Sequence, residues 1–428
     1  MLYVHVDQSM IEISRNSNRI TVEGDLRDFH YLLAQIHRCI EVAGYSDVIL
    51  DMSACTSAFQ NSMLSVCAQV AAYRKSGVTF SLIPPRVSTL SNLFKNTNWA
   101  YFLDPLQFHQ SNFRGHTRIA ATQYQSPEEQ GAAVNRIVNV MLGALPDLER
   151  TDFAAFEWAI NEITDNVLVH AKSPIGGLVQ VSTFQKGTKS VQFVVADAGI
   201  GIPASLKPGH PEIRSDTEAL DWAIREGVTR DARIGQGNGL FGSYRVCSKS
   251  KGHFQIDSGH ARLEYNPRRQ QMSISNQTIP YSGTLIAATI DFSNPELLAD
   301  ALQFKGVTYR PTDYVEFTYE GRDGGPVSFL LRDEGVSFGS RVSGKPVRQK
   351  LHNIIKMTGS RVVNVDFSGV PVISSSFADE AFGKLFLQLG PMQFMQRVRL
   401  VNTIDTVESL INRAIEQRMK VGLSDADA

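Results

Sequence analysis

In the first hundred residues, short apolar runs that suit strands take turns with stretches of helical period. Residues 2–7 (LYVHVD), 10–14 (MIEIS) and 19–24 (RITVEG) read as strands. An amphipathic stretch over 28–43 follows, then an apolar strand at 47–52, a helix over about 60–75, Gly77, and the strand VTFSLIPP. With a further helix near 89–96, this order predicts an α/β sandwich rather than a bundle. Residues 111–125 are polar and pattern-poor, so a linker is expected there.

Beyond the linker, the pattern predicts helices over about 127–145 and 151–171, then strands LVQVSTF and SVQFVVAD. A long loop region, a glycine cluster and three more strands ending in GTLIAATIDF complete this block. Two helices feeding a mostly antiparallel sheet make an α+β layer pair. From about residue 295 a third block begins. Its strand at 362–370 (VVNVDFSGV) and following helix (SFADEAFGKLFLQL) repeat the strand, loop and helix order seen near residue 50. The expected boundaries are therefore 1–112, 126–292 and 296–428.

Composition narrows the classes. A length of 428 residues suits roughly two to four domains. The chain has 42 basic and 43 acidic residues and no one-signed block, so it carries no clear nucleic-acid signature. Cys39, Cys55, Cys67 and Cys247 lack C-x-x-C spacing and sit within apolar patterns, which argues against a zinc site or disulfide framework. No apolar run approaches membrane-spanning length and the N-terminus is not leader-like, so a cytoplasmic protein is expected.

Candidate chemistry concentrates in the middle block. In EWAINEITDNVLVHA, Glu162, Asn166 and His170 stand four apart and so fall on one helical stripe. Alone, such a stripe is a solvated face. Here a strand runs into Asp197, Gly199 and Gly201, and further on Gly235, Gly237, Asn238, Gly239, Leu240 and Gly242 open a helix. Glycine-dense turns let backbone N–H groups approach phosphates, and a helix N-terminus adds partial positive charge. Asp197, at a strand end beside glycines, suits an acceptor for an adenine amino group. Asn166 offers an amide oxygen to Mg²⁺, which takes few protein ligands. Glu162, one turn earlier, can orient or deprotonate water or a hydroxyl nucleophile.

In order, these residues match an E-x-x-x-N box, a D-x-G-x-G box and a G-x-G-x-G box, and the middle block resembles the GHKL superfamily of Bergerat-fold ATP-binding domains. Glu162-Ile-Thr-Asp165-Asn166 is similar to the gyrase-type version, whereas His170-Ala171 is similar to the anti-sigma-factor serine kinases. Gly283-Thr284 fits the family's final G-T element, whose threonine contacts the adenine-binding aspartate or a nearby water. The resemblance implies ATP and Mg²⁺ as cofactors, a lid over the phosphates at 203–234 carrying Arg230, Asp231 and Arg233, and allows a homodimer. The outer blocks resemble STAS domains, and the last one also resembles STAS-like domains of unknown function found in bacterial regulatory proteins. Protein partners bound through STAS-like domains are thus expected. The fold implied is a Bergerat-type α/β sandwich, its mostly antiparallel sheet lined by helices on one face, between two STAS-like α/β domains.

Competing motifs fare worse. Residues 199–204 fit the Rossmann pattern G-x-G-x-x-A, but that motif needs a helix to begin at once, and Pro203, Pro208 and Pro211 argue against one. Residues 237–242 mimic a kinase glycine loop without H-R-D or D-F-G, and Gly339 to Lys345 mimic a Walker A with Pro346 where a hydroxyl is required, so a loop is expected there. Where STAS regulators carry a phosphorylatable D-S-S-G, the first block has Phe59, Gln60, Asn61 and Ser62, and the last has Ser374, Ser375, Ser376 and Phe377, which equally suit a helix cap. Residues 126–145 lack histidine, so a conventional histidine kinase is not expected. The leading expectation is an ATP-operated regulatory switch, an ATPase or serine kinase. The alternative is a scaffold that binds nucleotide without turnover.

Overall fold

The computed structural model describes residues 12–111, 118–184, 189–228, 239–293, 301, 303–304, 307–308, 313–320, 325–335 and 337–424. The architecture is mixed α/β, with three main sheets. By contacts the chain divides into one compact unit formed by Met1–Val134, Trp158–Phe184 and Ser190–Thr308, and a second formed by Asn135–Glu157, Gln185–Lys189 and Tyr309–Ala428.

In the first unit, β1 (Glu12–Asn16), β2 (Arg19–Leu26), β3 (Asp47–Ala58) and β4 (Thr79–Ile83) form a sheet in chain order. The β1/β2 pair is antiparallel and the β2/β3 and β3/β4 pairs are parallel. Helix α1 (His30–His37) joins β2 to β3, and α2 (Gln60–Lys75) joins β3 to β4. Helices α3 (Ser88–Asn96) and α4 (Trp99–Leu103) follow. Every residue of α2 from Ser62 to Ala71 is buried. A helix apolar all round must have cover all round, and α2 packs against the central sheet as well as its own.

That central sheet has the order β5 (Arg118–Tyr124), β6 (Gly177–Phe184), β7 (Ser190–Asp197), β9 (Gln271–Asp291), β8 (Phe254–Asn266), antiparallel throughout. Leu178, Val194, Ala196, Leu285 and Ala287 share one core with α1, α2 and α4. Their strand neighbours Val179, Val181, Phe193, Val195 and Ile286 are buried too. Burial on both faces explains why SVQFVVAD reads as a nearly unbroken apolar run rather than an alternating one. The expected layer pair thus carries an additional layer, supplied by the N-terminal block. Polar contacts cross the same junction: Gln60 Nε2 donates to Gln180 O at 2.8 Å, and Trp99 Nε1 donates to Gln180 Oε1 at 2.7 Å.

Three expectations for this unit change. Within the expected linker, 118–124 is the edge strand β5, with Tyr124 fully buried; its threonine and glutamine occupy an edge, where apolar alternation is not demanded. The last part of the block is two long strands, not three, because β9 runs through Pro280 with a register shift against β8. A short helix, α7 (Gly201–Leu206), does begin directly after the D-x-G turn. Pro203 lies in its first turn, where the missing N–H costs nothing, while the antiparallel neighbours of β7 exclude a Rossmann unit. Helix α8 (Asp216–Ala223) follows.

Helices α5 (Pro127–Ala144) and α6 (Arg150–Asn166) join β5 to β6. Between α8 and β8 lies α9 (Gly239–Lys249). The short pair β10 (Gln303–Phe304) and β11 (Val307–Thr308) is antiparallel.

In the second unit, β12 (Val327–Leu330), β13 (Val363–Asp366) and β14 (Val398–Val401) form a parallel sheet in chain order. Helix α10 (Arg341–Met357) joins the first two strands. It occupies the Walker-like segment expected to be a loop, because Ser340 caps it by accepting the Ser343 N–H at 3.2 Å. Helix α11 (Ser375–Ala378), a π turn (Asp379–Gly383), α12 (Lys384–Leu389) and α13 (Pro391–Arg397) lead to β14, and α14 (Asp405–Ser424) follows. The 135–157 segment is held in this unit by Asn353, whose Nδ2 donates to Leu142 O and Leu145 O at 2.9 and 2.8 Å while its Oδ1 accepts the Leu148 N–H. Arg150 adds forked bonds to Asp313 and Glu320. No described helix is long and apolar enough to cross a membrane.

Candidate nucleotide site

Glu162 and Asn166 lie in the last turns of α6, which is tied to α5 by Gln130 donating to Asn161 and Thr164. The α-helix stops at Asn166 and a π turn, Val167–Ala171, closes on Lys172 in the left-handed region (φ 51°). A π turn holds more residues than an α turn. A spacing of four falls just short of one π turn, so His170 stays close to the Asn166 face of the segment.

The π turn is where the first glycine bend arrives. Ile200 N donates to Ala171 O at 2.8 Å, and a Cβ on Gly199 would stand 2.0 Å from that oxygen, so only glycine permits the approach. Asp197 ends β7, 1% exposed, with Oδ1 accepting the Gly199 N–H at 2.7 Å. Gly283 adopts φ +110°, and a Cβ there would lie 2.3 Å from Asp197 O. The next residue, Thr284, gives its backbone N–H to the Asp197 carboxyl. Burial pushes that carboxyl up to about 7, against the two N–H groups that favour its ionised form.

The second bend starts α9. A Cβ on Gly239 would lie 2.5 Å from Glu162 Oε2 and 3.5 Å from Asn166 Nδ2. The first helical residue after the glycine cluster thus abuts the acid and amide of α6. Burial, aided by the neighbouring Asp165 charge, raises the Glu162 carboxyl above its ordinary value. Asp165 itself is exposed. Among the described residues, Asn166 Nδ2 is buried without a hydrogen-bond partner. Leu240 packs instead against the small apolar cluster of Leu206, Ile213, Ala219 and Ala223. Gly235, Gly237 and Asn238, with Arg230, Asp231 and Arg233, lie outside the described residues.

Sequence reasoning missed Ser258, Tyr281 and Tyr124. Fully buried Ser258 gives its hydroxyl to Gly283 O at 2.7 Å and accepts the Ile202 N–H at 2.9 Å, pinning the start of α7 to the Gly283 bend. Tyr281 donates to Asp197 O at 2.8 Å. The Tyr124 hydroxyl sits 2.3 Å from where a Gly177 Cβ would be, within the field of Asp165 and Asp197. Serine and tyrosine inside strands carry no motif, so only the pairing register reveals them. All four cysteines are buried and free, and no group of three metal-ligating His, Cys, Asp or Glu side chains occurs among the described residues.

Comparison with known proteins adds one firm assignment. Residues 343–408 match the family model of the STAS-like domain of unknown function (DUF4325). That match contains all but the first two residues of α10, β13, β14 and the serine cluster, of which Ser374 caps α11 through the Phe377 N–H. Two solved structures are similar. The mycobacterial sensor histidine kinase MprB is 21% identical over 32% of this chain and 71% of that one, with a TM-score of 0.19. The histidine kinase domain from Erythrobacter litoralis EL346 blue-light activated histidine kinase is 16% identical over 56% of this chain and 90% of that one, with a TM-score of 0.21. The search of curated proteins gave no match.

Proposed function

We propose that the central antiparallel sheet and α6 form a GHKL-type ATP site, and that nucleotide there governs how the STAS-like blocks meet protein partners. The observation that supports this best is the close approach of Gly239 to Glu162 and Asn166, together with that of Gly199 to the end of the same helical segment. Motifs read separately along the chain meet at one helix end, where the approach of Gly199 to the Ala171 carbonyl leaves no room for a Cβ.

In this reading Asp197, which Thr284 N–H bonds and Gly283 approaches, accepts from an adenine amino group. The Asn166 amide, with its nitrogen unpartnered among the described residues, is free to turn its oxygen toward a hard cation, and Mg²⁺, which takes few protein ligands, fits this donor. Bound with ATP, the ion would neutralise phosphate charge. Glu162, its carboxyl raised by burial, then takes a proton from an attacking water or protein hydroxyl.

Calorimetry on the purified chain with ATP and Mg²⁺, followed by phosphate release from wild type and Glu162→Ala, tests both parts. The expected result is binding by both proteins and a loss of release of roughly a hundredfold or more in the variant. Equal, measurable rates would remove Glu162 from the chemistry; binding with no release by wild type would leave a nucleotide-binding scaffold; no binding by wild type would end the nucleotide assignment. With γ-labelled ATP, label on protein instead of free phosphate selects the kinase form.

A further inference from the structure

We infer that Tyr281 is a positioning residue through which α2 of the N-terminal block sets the Asp197 carboxyl, and hence selectivity for a purine bearing an amino group. The inference rests on the proposed nucleotide site. Its basis is the pairing register. Strands β7 and β9 pair from Ser190↔Asp291 to Ala196↔Leu285, and the ladder stops one residue short of Asp197. Against β8, the partners of β9 jump from Thr284 (opposite Ser258) to Tyr281 (opposite Gly259), leaving Ser282 and Gly283 as a bulge.

Where the ladder ends, side chains take over. The Tyr281 hydroxyl donates to Asp197 O at 2.8 Å, and the bulge brings Gly283 against that same oxygen. Helix α2 holds the bulge from its other side. Gln69 Nε2 donates to Ser282 O, and the Ser65 and Gln69 side chains lie beside the Tyr281 phenol. Phe29, which precedes α1, packs edge-on against the Tyr281 ring with centroids 5.3 Å apart. Tyr281 is 1% exposed, so its contacts form one closed set linking α2 to the Asp197 bend.

A core tyrosine usually finds some acceptor for its hydroxyl, so the test must separate positioning from packing. The wild-type chain, Tyr281→Phe and Gln69→Met would be titrated with ATP and with inosine triphosphate, which has a carbonyl oxygen in place of the amino group. Wild type should prefer ATP. In both variants that preference should fall about tenfold, the worth of roughly one hydrogen bond, with affinity for inosine triphosphate unchanged. An unchanged preference, or equal loss of both ligands, overturns the positioning role while leaving the nucleotide site standing. Should wild type bind neither ligand, both proposals fall, and a wild type that binds them equally removes Asp197 as amine acceptor and this role with it. If Tyr281→Phe does not fold, Gln69→Met decides alone.

Discussion

The N-terminal and C-terminal sheets each contain three parallel strands in chain order, β2-β3-β4 and β12-β13-β14, with helices making the crossovers. They use the second crossover differently. In the N-terminal sheet it is α2, buried on every side and shared with the central sheet. Its C-terminal counterpart runs through α11, α12 and α13, which bury Phe377, Phe382, Leu385 and Phe394 but leave Leu387, Met392 and Met395 between 46% and 75% exposed. One topology therefore serves as a fused structural layer at one end of the chain and keeps an open helical face at the other. The C-terminal block thus leaves apolar side chains of its second crossover exposed, whereas the N-terminal block has committed its α2 surface within its own unit.

The strongest way to break this comparison is to charge the fused layer. Val66 is fully buried in α2, and Val66→Asp places an unpaired carboxyl where no water reaches, costing roughly 3–5 kcal/mol. Thermal unfolding followed by circular dichroism should shift down sharply, and ATP binding should disappear in the same transition. Retention of nucleotide binding after the N-terminal block has melted would show that the two sheets are separable, and the contrast would fail.

How far this was legible in the sequence differs by level. The strand and helix order near residues 47–75 and the pairing of Glu162 with Asn166 follow from local periodicity, which survives into the fold because neighbouring residues alone set it. The all-round burial of α2 was visible in principle: QNSMLSVCAQVAAYRK lacks a charged stripe until its last turn. What it packs against was not, since that depends on a sheet over a hundred residues away. Likewise, β5 looked like a linker because an edge strand need not alternate cleanly, and the π turn that follows Asn166 leaves no compositional mark. Ser258 and Tyr281 escaped notice because their importance comes from a bulge, a property of two strands and not of one.

A smaller effect sharpens the comparison through two aspartates at strand ends. Asp197, in the fused unit, is pushed up to about 7 by burial. Asp366, at the end of β13, is lowered by hydrogen bonds from the Asn402 amide and the Ser368 side chain and N–H. Between the ordinary carboxylate range and pH 7, folded Asp197 keeps a proton that the unfolded chain has lost, so its contribution to stability falls as pH rises through that window. Asp197→Asn removes this penalty. Relative to wild type, the variant should be more stable at pH 8 than at pH 5 by up to about 3 kcal/mol, while losing affinity for ATP. Asp366→Asn should have the opposite sign, because the stability Asp366 contributes is present above the ordinary carboxylate range and is lost as pH falls below it. Urea unfolding across pH reads both slopes, and a flat difference for Asp197→Asn would mean that its carboxyl is solvated.

The smallest effect belongs to the open face. Met392 and Met395 are each 75% exposed on α13, whereas Met63 on α2 is fully buried. Met63→Ser should cost about 2–5 kcal/mol through lost burial and a cavity, but Met392→Ser and Met395→Ser should stay within about 0.5 kcal/mol. Urea midpoints with unchanged slopes would verify this. A loss above about 1 kcal/mol from either exposed methionine would mean that the face is covered in solution. Sedimentation at two protein concentrations then identifies the cover: a concentration-dependent mass that the serine variants abolish assigns it to a second copy of this chain.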